Sequence, residues 1–209
     1  MKSSGIILAG GKSSRMKFNK AFARITSQTA IEIIIKKFQA FFCETIIISN
    51  DPEEYLHLGL PVFTDVYPRQ GPVSGIHSAL YYASNESIFL LGCDMPFIEM
   101  QVVEYMLQKL GEYDSVVPCI DSQLQPTSAV YHRKCLPLFT SCLENQRLKL
   151  TRIFYEEIDA LLVQEEELAQ FGNPREIFFN VNDPGALSIA REMAGRLIPL
   201  ESNENQNTW

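Results

Sequence analysis

The sequence predicts an α/β fold of three layers, α/β/α, with helices on both faces of a mostly parallel, mixed sheet. Three observations predict it. Short apolar strand-like runs alternate with stretches at helical spacing up to about residue 113, the pattern of a parallel sheet wrapped by helices. Each of these strands ends in glycine or polar residues, and in such sheets the ligand crevice lies beyond the carboxyl ends of the strands. Past residue 113 the alternation loosens into neighbouring strands, which makes the sheet mixed.

Gly5-Ile6-Ile7-Leu8-Ala9 is short and mostly apolar and reads as a buried first strand. Ile31, Ile34, Ile35, Phe38 and Phe42 recur at the spacing of one helix face, which predicts a helix over 29–42. Ile46-Ile47-Ile48 is β-branched and forms the second strand. Ser49-Asn50-Asp51-Pro52 ends it, and a short helix is expected over Glu53–Leu58. Leu60–Thr64 reads as a third strand. Gly71 to Gly75 opens a helix running to about Tyr82, and Ser87–Gly92 is a fourth strand. A helix fills Glu99–Leu110. Asp114–Ile120 and Thr127–Tyr131 are two strands with a short connection. Helices are expected over Lys134–Leu143 and Leu150–Glu157, and a short strand over Ala160–Val163. Phe178–Val181 is a strand candidate ending at Asn182. Asp183 then caps a last helix with Pro184 in its first turn. Residues 1–200 are expected to form one domain, and the polar residues 201–209 a disordered tail.

With 209 residues the chain is long enough for a sizeable core. Hydrophobic residues at 46% and charged residues at 21% are the balance of a soluble globular protein. The net charge of −7 argues against a nucleic-acid or anionic-membrane partner. A polyanion would have to be met by local positive charge. Five cysteines without a Cys-x-x-Cys pair argue against a disulfide framework or a zinc site. There is no signal-peptide pattern, and no run reaches the ~18 apolar residues of a membrane span. A reduced, cytoplasmic location is expected.

The stretch Gly5–Lys20 carries the strongest chemical signal. Gly10 and Gly11 follow the first strand at once and let the backbone approach a ligand closely. Backbone N–H groups and the hydroxyls of Ser13 and Ser14 can face phosphate oxygens, and Arg15 and Lys20 add positive charge. The Walker loop is excluded, because Ile6 stands where its first glycine would be. The dinucleotide fingerprint is excluded for want of a third glycine.

Leu8-Ala9-Gly10-Gly11-x-Ser13-x-Arg15-Met16-x-x-x-Lys20 resembles the signature loop of MobA-like nucleotidyltransferases, which usually reads LAGGxSxRMGxDK. This chain departs from it at Lys17, where the family has glycine, and at Asn19, where it has aspartate. Asp65 to Ile76 is similar to the family's D-x-x-P-G-x-G-P-L-x-G-I, with Arg69 for its first glycine. Gly92-Cys93-Asp94-Met95-Pro96 resembles its CDxP motif. Gln125-Pro126-Thr127 with Tyr131 and Arg133 resembles Q-P-x-x-A-x-Y-x-R. Phe179 to Pro184 resembles F-x-N-x-N-T-P, with Asn180 and Asn182 as the two amides. Together these stretches are spread over about residues 5–190, most of the chain.

The resemblance implies a Rossmann-like nucleotidyltransferase fold and transfer of GMP from GTP to molybdopterin, with release of diphosphate. It implies Arg15, Lys20 and Asp94 as catalytic residues, Mg2+ as cofactor and Asp94 as its ligand. A single carboxylate suits an ion whose shell is completed by phosphates and water. Leu8, Ala9, Gly10, Gly11, Ser13, Lys20, Asn50, Asp65, Gly71, Gly75 and Asp94 would bind the nucleotide. Gln125, Pro126, Tyr131, Arg133, Asn180 and Asn182 would lie on the acceptor side, the two asparagines at alternating strand positions that point the same way. GTP and molybdopterin are the implied substrates, with room for transient contact with other molybdenum cofactor proteins. Two alternatives stay open: a cytidylyltransferase acting on molybdopterin or a sugar-like phosphate, and a nucleotide-binding relative without turnover.

Overall fold

A computed structural model of the chain describes residues 2–10 and 19–197. The expected tail at 201–209 lies outside the described residues. Among those residues the order is β1 (Ser4–Leu8), α1 (Ala30–Phe41), β2 (Glu44–Ile48), β3 (Val62–Phe63), α2 (Pro72–Tyr82), β4 (Ser87–Gly92) and α3 (Met100–Lys109). Then follow β5 (Ser115–Ile120), β6 (Gln123–Leu124), β7 (Ser128–His132), α4 (Leu136–Glu144), α5 (Leu150–Glu156) and β8 (Ala160–Gln164). Two four-residue helices, α6 (Glu165–Leu168) and α7 (Pro174–Ile177), precede α8 (Pro184–Leu197). The strands form one sheet in the order β3-β2-β1-β4-β7-β5-β6, with β8 paired to β5. The pairings β1–β2, β1–β4, β2–β3 and β5–β8 are parallel, and β7 is antiparallel to both β4 and β5.

Successive residues of a strand face opposite sides, and the core splits accordingly. Ile7, Ile47, Phe89 and Leu91 pack with Ile31, Ile34 and Phe38 of α1 and Val102, Val103 and Met106 of α3. Ile6, Ile46, Ile88 and Leu90 pack with Val73, Ile76 and Leu80 of α2, Phe139 of α4 and Ile153 of α5 on the other side. This is the expected three-layer sandwich. Helix α1 is entered through a capping box: Thr29 Oγ1 accepts from Glu32 N, and the Glu32 carboxylate accepts from Thr29 N at 2.7 Å.

Leu8 pairs with Ile48 on one side and with Gly92 on the other, so the carboxyl ends of three strands are level. From β1 the chain moves outward to β2 and β3, then returns on the far side of β1 as β4. The strand order therefore reverses between β1 and β4, a topological switch point of the kind where open α/β sheets place their ligands.

Four local expectations are corrected. Residues 53–58 form two single 3-10 turns, Pro52–Glu54 and Leu56–Leu58, closed by Gly59 at φ 71°. Neither turn is long enough to close an α-helical bond. The third strand is two residues long, because Pro61 has no N–H to donate. The connection before β7 contains a hairpin strand, β6, turned by Asp121 and Ser122 at φ 50° and 60°. Such a turn is usually announced by Asn-Gly or Asp-Gly. Finally, 178–181 is not a strand: Asn173 caps α7, and the chain after that helix is tied to the loop after β4 rather than to the sheet.

Candidate active site

A cavity of about 490 Å³ opens at the level ends of β1, β2 and β4. Its floor is stitched by backbone bonds that continue past the strands. Ala9 N donates to Ile48 O at 2.9 Å, Cys93 N to Leu8 O at 3.0 Å and Gly92 N to Thr127 O at 3.0 Å.

One end of the cavity is charged. Asp94, two residues past β4, is 7% exposed. The Lys20 ammonium donates to its Oδ2 and, at 3.1 Å, to Asn182 Oδ1. In the amide orientation that pairs donors with acceptors, Asn180 Nδ2 donates to both Asp94 oxygens at 3.2 Å. Val181 between the two asparagines is fully buried, and its N–H donates to Asp94 O at 2.8 Å. That bond pins the segment beside the carboxylate. Gly92 makes the room: a Cβ there would stand 2.7 Å from Asp94 Oδ1. Lys37 of α1 holds the loop beyond, donating to Ile98 O at 2.7 Å and Pro96 O at 3.3 Å. Burial holds the Lys37 ammonium below the usual lysine range. Burial pushes the Cys93 thiol up to about 12, so it carries no nucleophilic thiolate beside Asp94.

The other end holds a carboxyl–amide pair. Asn50 Nδ2 donates to Asp65 Oδ2 at 2.7 Å. Burial raises the Asp65 carboxyl pKa, against the hydrogen bond from Asn50. Gly71 starts α2 at φ 72°, a backbone conformation that glycine adopts without strain. Arg69 and Asp51, both lining the cavity, form an ion pair at 3.9 Å. The cavity thus offers glycine-edged backbone at its centre, a carboxylate–amide pair at one end and an ammonium–carboxylate–amide cluster at the other.

The sequence profile of the MobA-like NTP transferase domain matches residues 5–161. The chain belongs to the MobA-like NTP transferase family. A Clostridium perfringens (strain SM101 / Type A) protein named "Probable molybdenum cofactor guanylyltransferase" is 42% identical over 185 residues, covering 87% of this chain and 92% of that one. The "Molybdenum cofactor guanylyltransferase" of Desulfosudis oleivorans is 30% identical, covering 92% of this chain and 97% of that one. The crystal structure of molybdopterin-guanine dinucleotide biosynthesis protein A from Archaeoglobus fulgidus superposes with a TM-score of 0.80 at 24% identity, over 92% of this chain and 99% of that one. That likeness is one of fold.

In this MobA-like chain Leu8, Gly10, Lys20, Asn50, Asp65, Gly71, Gly75, Asp94 and Asn180 line the cavity, and Asn182 joins them through Lys20. Ala9 is buried beneath. Gly75 faces inward too, its Cβ position 3.1 Å from Leu8 Cδ2. Gly11, Ser13 and Arg15 lie outside the described residues. Gln125 and Pro126 lead into Thr127 at the cavity wall, but Gln125 Nε2 turns to Gln123 O at 3.4 Å. Two expectations fail. Tyr131 is fully buried, its ring edge-on to Phe139 and Phe154 and its hydroxyl donating to Pro126 O at 2.6 Å. Arg133 donates to Ala83 O at 2.7 Å. It lies at the opposite end of the strands, because β7 runs antiparallel to β4 and pairs His132 with Ser87. Neither side chain lines the cavity. Sequence reasoning missed Thr127 and Gly92 as wall residues and Lys37 as the support of the Asp94 loop. An isolated lysine on an otherwise apolar helix face is the signal that points to Lys37.

Proposed function

We propose that this chain transfers GMP from GTP to molybdopterin, forming molybdopterin guanine dinucleotide and releasing diphosphate. The acceptor phosphate oxygen attacks the α-phosphorus, a new P–O bond forms, and the bond to the β-phosphate oxygen breaks as diphosphate leaves. Positioning and charge neutralisation dominate such a reaction. The observation that carries the reading is the cluster of Lys20, Asp94, Asn180 and Asn182 at the switch point of a MobA-like fold. The names of the relatives support guanine as the base and molybdopterin as the acceptor.

Lys20 would meet phosphate oxygens and Asp65 with Asn50 the base or ribose, while Asn180 and Asn182 face the acceptor. With Lys20 engaged by phosphate, the Asp94 carboxylate would face further anionic oxygens, so a second cation fits there. The donor set suits a hard ion: Asp94 offers carboxylate oxygens, and the alternative orientation of Asn180 would place an amide oxygen 3.2 Å from both of them. Mg2+ held by Asp94 would screen the charge that phosphates bring together. Among the described residues no helix is long and apolar enough to cross a membrane.

The test is incubation with each NTP, molybdopterin and Mg2+, with diphosphate measured. Release with GTP and molybdopterin together is expected. Equal or faster release with CTP would overturn the guanine assignment, and no release with any NTP the transferase assignment.

A further inference from the structure

We propose that Asn19 is a positioning residue for Lys20, matched to Glu54, so that an uncharged amide at 19 and a carboxylate at 54 work as a pair. This rests on the transferase reading of the site. Lys20 opens a single 3-10 turn, Lys20–Phe22, and a turn of three residues cannot hold its own geometry. Two contacts dock it on the segment after β2. Asn19 Oδ1 accepts from Ala21 N at 3.0 Å, capping the turn, while Asn19 Nδ2 donates to the Glu54 carboxylate and, at 2.7 Å, to the Tyr55 hydroxyl. Two residues beyond Lys20, the Phe22 ring stacks on Tyr55 with centroids 5.4 Å apart. Tyr55 is 2% exposed and belongs to the core beneath α1, so the turn is anchored to rigid structure. From that anchor Lys20 reaches Asp94 and Asn182.

The amide uses both of its functions here, and a carboxylate could not. Aspartate at 19 would keep the cap and could accept from the Tyr55 hydroxyl, but it would lose the donation to Glu54 and set a second negative charge against that carboxylate. Glutamine at 54 would supply a donor and remove that charge, so the pair can be exchanged in sense. Serine at 19 separates the two functions: it caps a turn well but cannot span to Glu54 and Tyr55.

The experiment compares the wild type, N19S, N19D and N19D/E54Q for diphosphate release at saturating GTP and molybdopterin, for GTP affinity and for melting temperature. Expected are at least a tenfold loss of turnover in N19S and N19D with folded proteins, and recovery to within about threefold of wild type in N19D/E54Q. Near-normal turnover in N19S, or a double variant no better than N19D, overturns the inference. If N19D does not fold, N19S decides. A wild type inactive with every NTP fails the transferase reading instead. The same ratios in nucleotide affinity then judge the anchor.

Discussion

At the scale of single residues, the site depends on a few atoms for which substitution has a stated consequence. Lys20→Ala removes the ammonium that joins Asp94 to Asn182. It is expected to weaken GTP binding or slow transfer by more than tenfold, about 1.4 kcal/mol. Unchanged affinity and turnover would remove Lys20 from the phosphate site. Gly92→Ala places a carbon 2.7 Å from Asp94 Oδ1, so the carboxylate must turn away. Overpacking of this kind costs about 1–3 kcal/mol. Turnover should fall further than that loss in stability explains, and kinetics beside a denaturant melt read both. Asp94 and Asp65 were legible in the sequence because each sits just past a short strand, where the carboxyl-end rule applies, whereas Lys20, well beyond β1, was flagged only as a cation of the glycine loop. Tyr131 and Arg133 were not. From Thr127 to Arg133 an extended chain advances about 20 Å at ~3.3 Å per residue, which carries Arg133 off the site edge. Asn180 and Asn182 reach the site without the strand that was expected to aim them. Val181, buried between them with its N–H on Asp94 O, holds both amides beside the carboxylate. Glu54 and Tyr55 left no trace in the sequence as partners of Asn19, which lies 35 and 36 residues away.

Among the elements, α1 and α2 carry the sharpest expectations. Thr29 and Glu32 close the capping box of α1, the helix that covers β1 and holds Lys37. Thr29→Ala should cost about 1 kcal/mol, or roughly 2–4 °C in melting temperature for a chain of this size. Turnover at 25 °C should be largely kept. A melting temperature equal to wild type would show that the cap contributes nothing. On α2, His77 is 3% exposed and faces α4. Thr140 Oγ1 donates to Leu136 O at 2.9 Å, so at 3.1 Å it accepts from His77 Nε2–H, and His77 Nδ1 has no partner among the described residues. Burial lowers the His77 pKa. Below about pH 6.5 an unfolded histidine takes up a proton that the folded one resists. The stability linked to His77 is therefore complete above that pH and is lost as pH falls toward the lowered native value. Denaturant midpoints measured from pH 7.5 to 5.5 should fall more for wild type than for His77→Gln. Parallel curves would contradict the burial argument. Helices with a clear apolar period were legible, and so were the β-branched strands. The 3-10 turns of 52–58, the two-residue β3 and the hairpin at Asp121-Ser122 were not, because each is set by backbone conformation at one or two residues rather than by a period.

Across the whole molecule, one sheet with a core on each face links residues as far apart as β1 and β8. We propose residues 1–200 as one folding unit, for which fluorescence and circular dichroism melts should coincide in a single transition. The alternation of strands and helices made this architecture legible, since a chain that repeats strand and helix can cover a parallel sheet in few ways. The order β3-β2-β1-β4 then brings Lys20, Asp94 and Asn182, residues far apart in sequence, to one switch point. Transfer is expected to occur there and to turn on the charge of Asp94. Asp94→Asn keeps the size of the side chain and removes that charge. Diphosphate release from GTP and molybdopterin, measured against Mg2+ concentration with melting temperature as the folding control, tests it most directly. The expected result is a folded variant whose turnover falls at least a hundredfold at ordinary Mg2+. A folded variant with near-normal turnover would place the ion and the chemistry elsewhere.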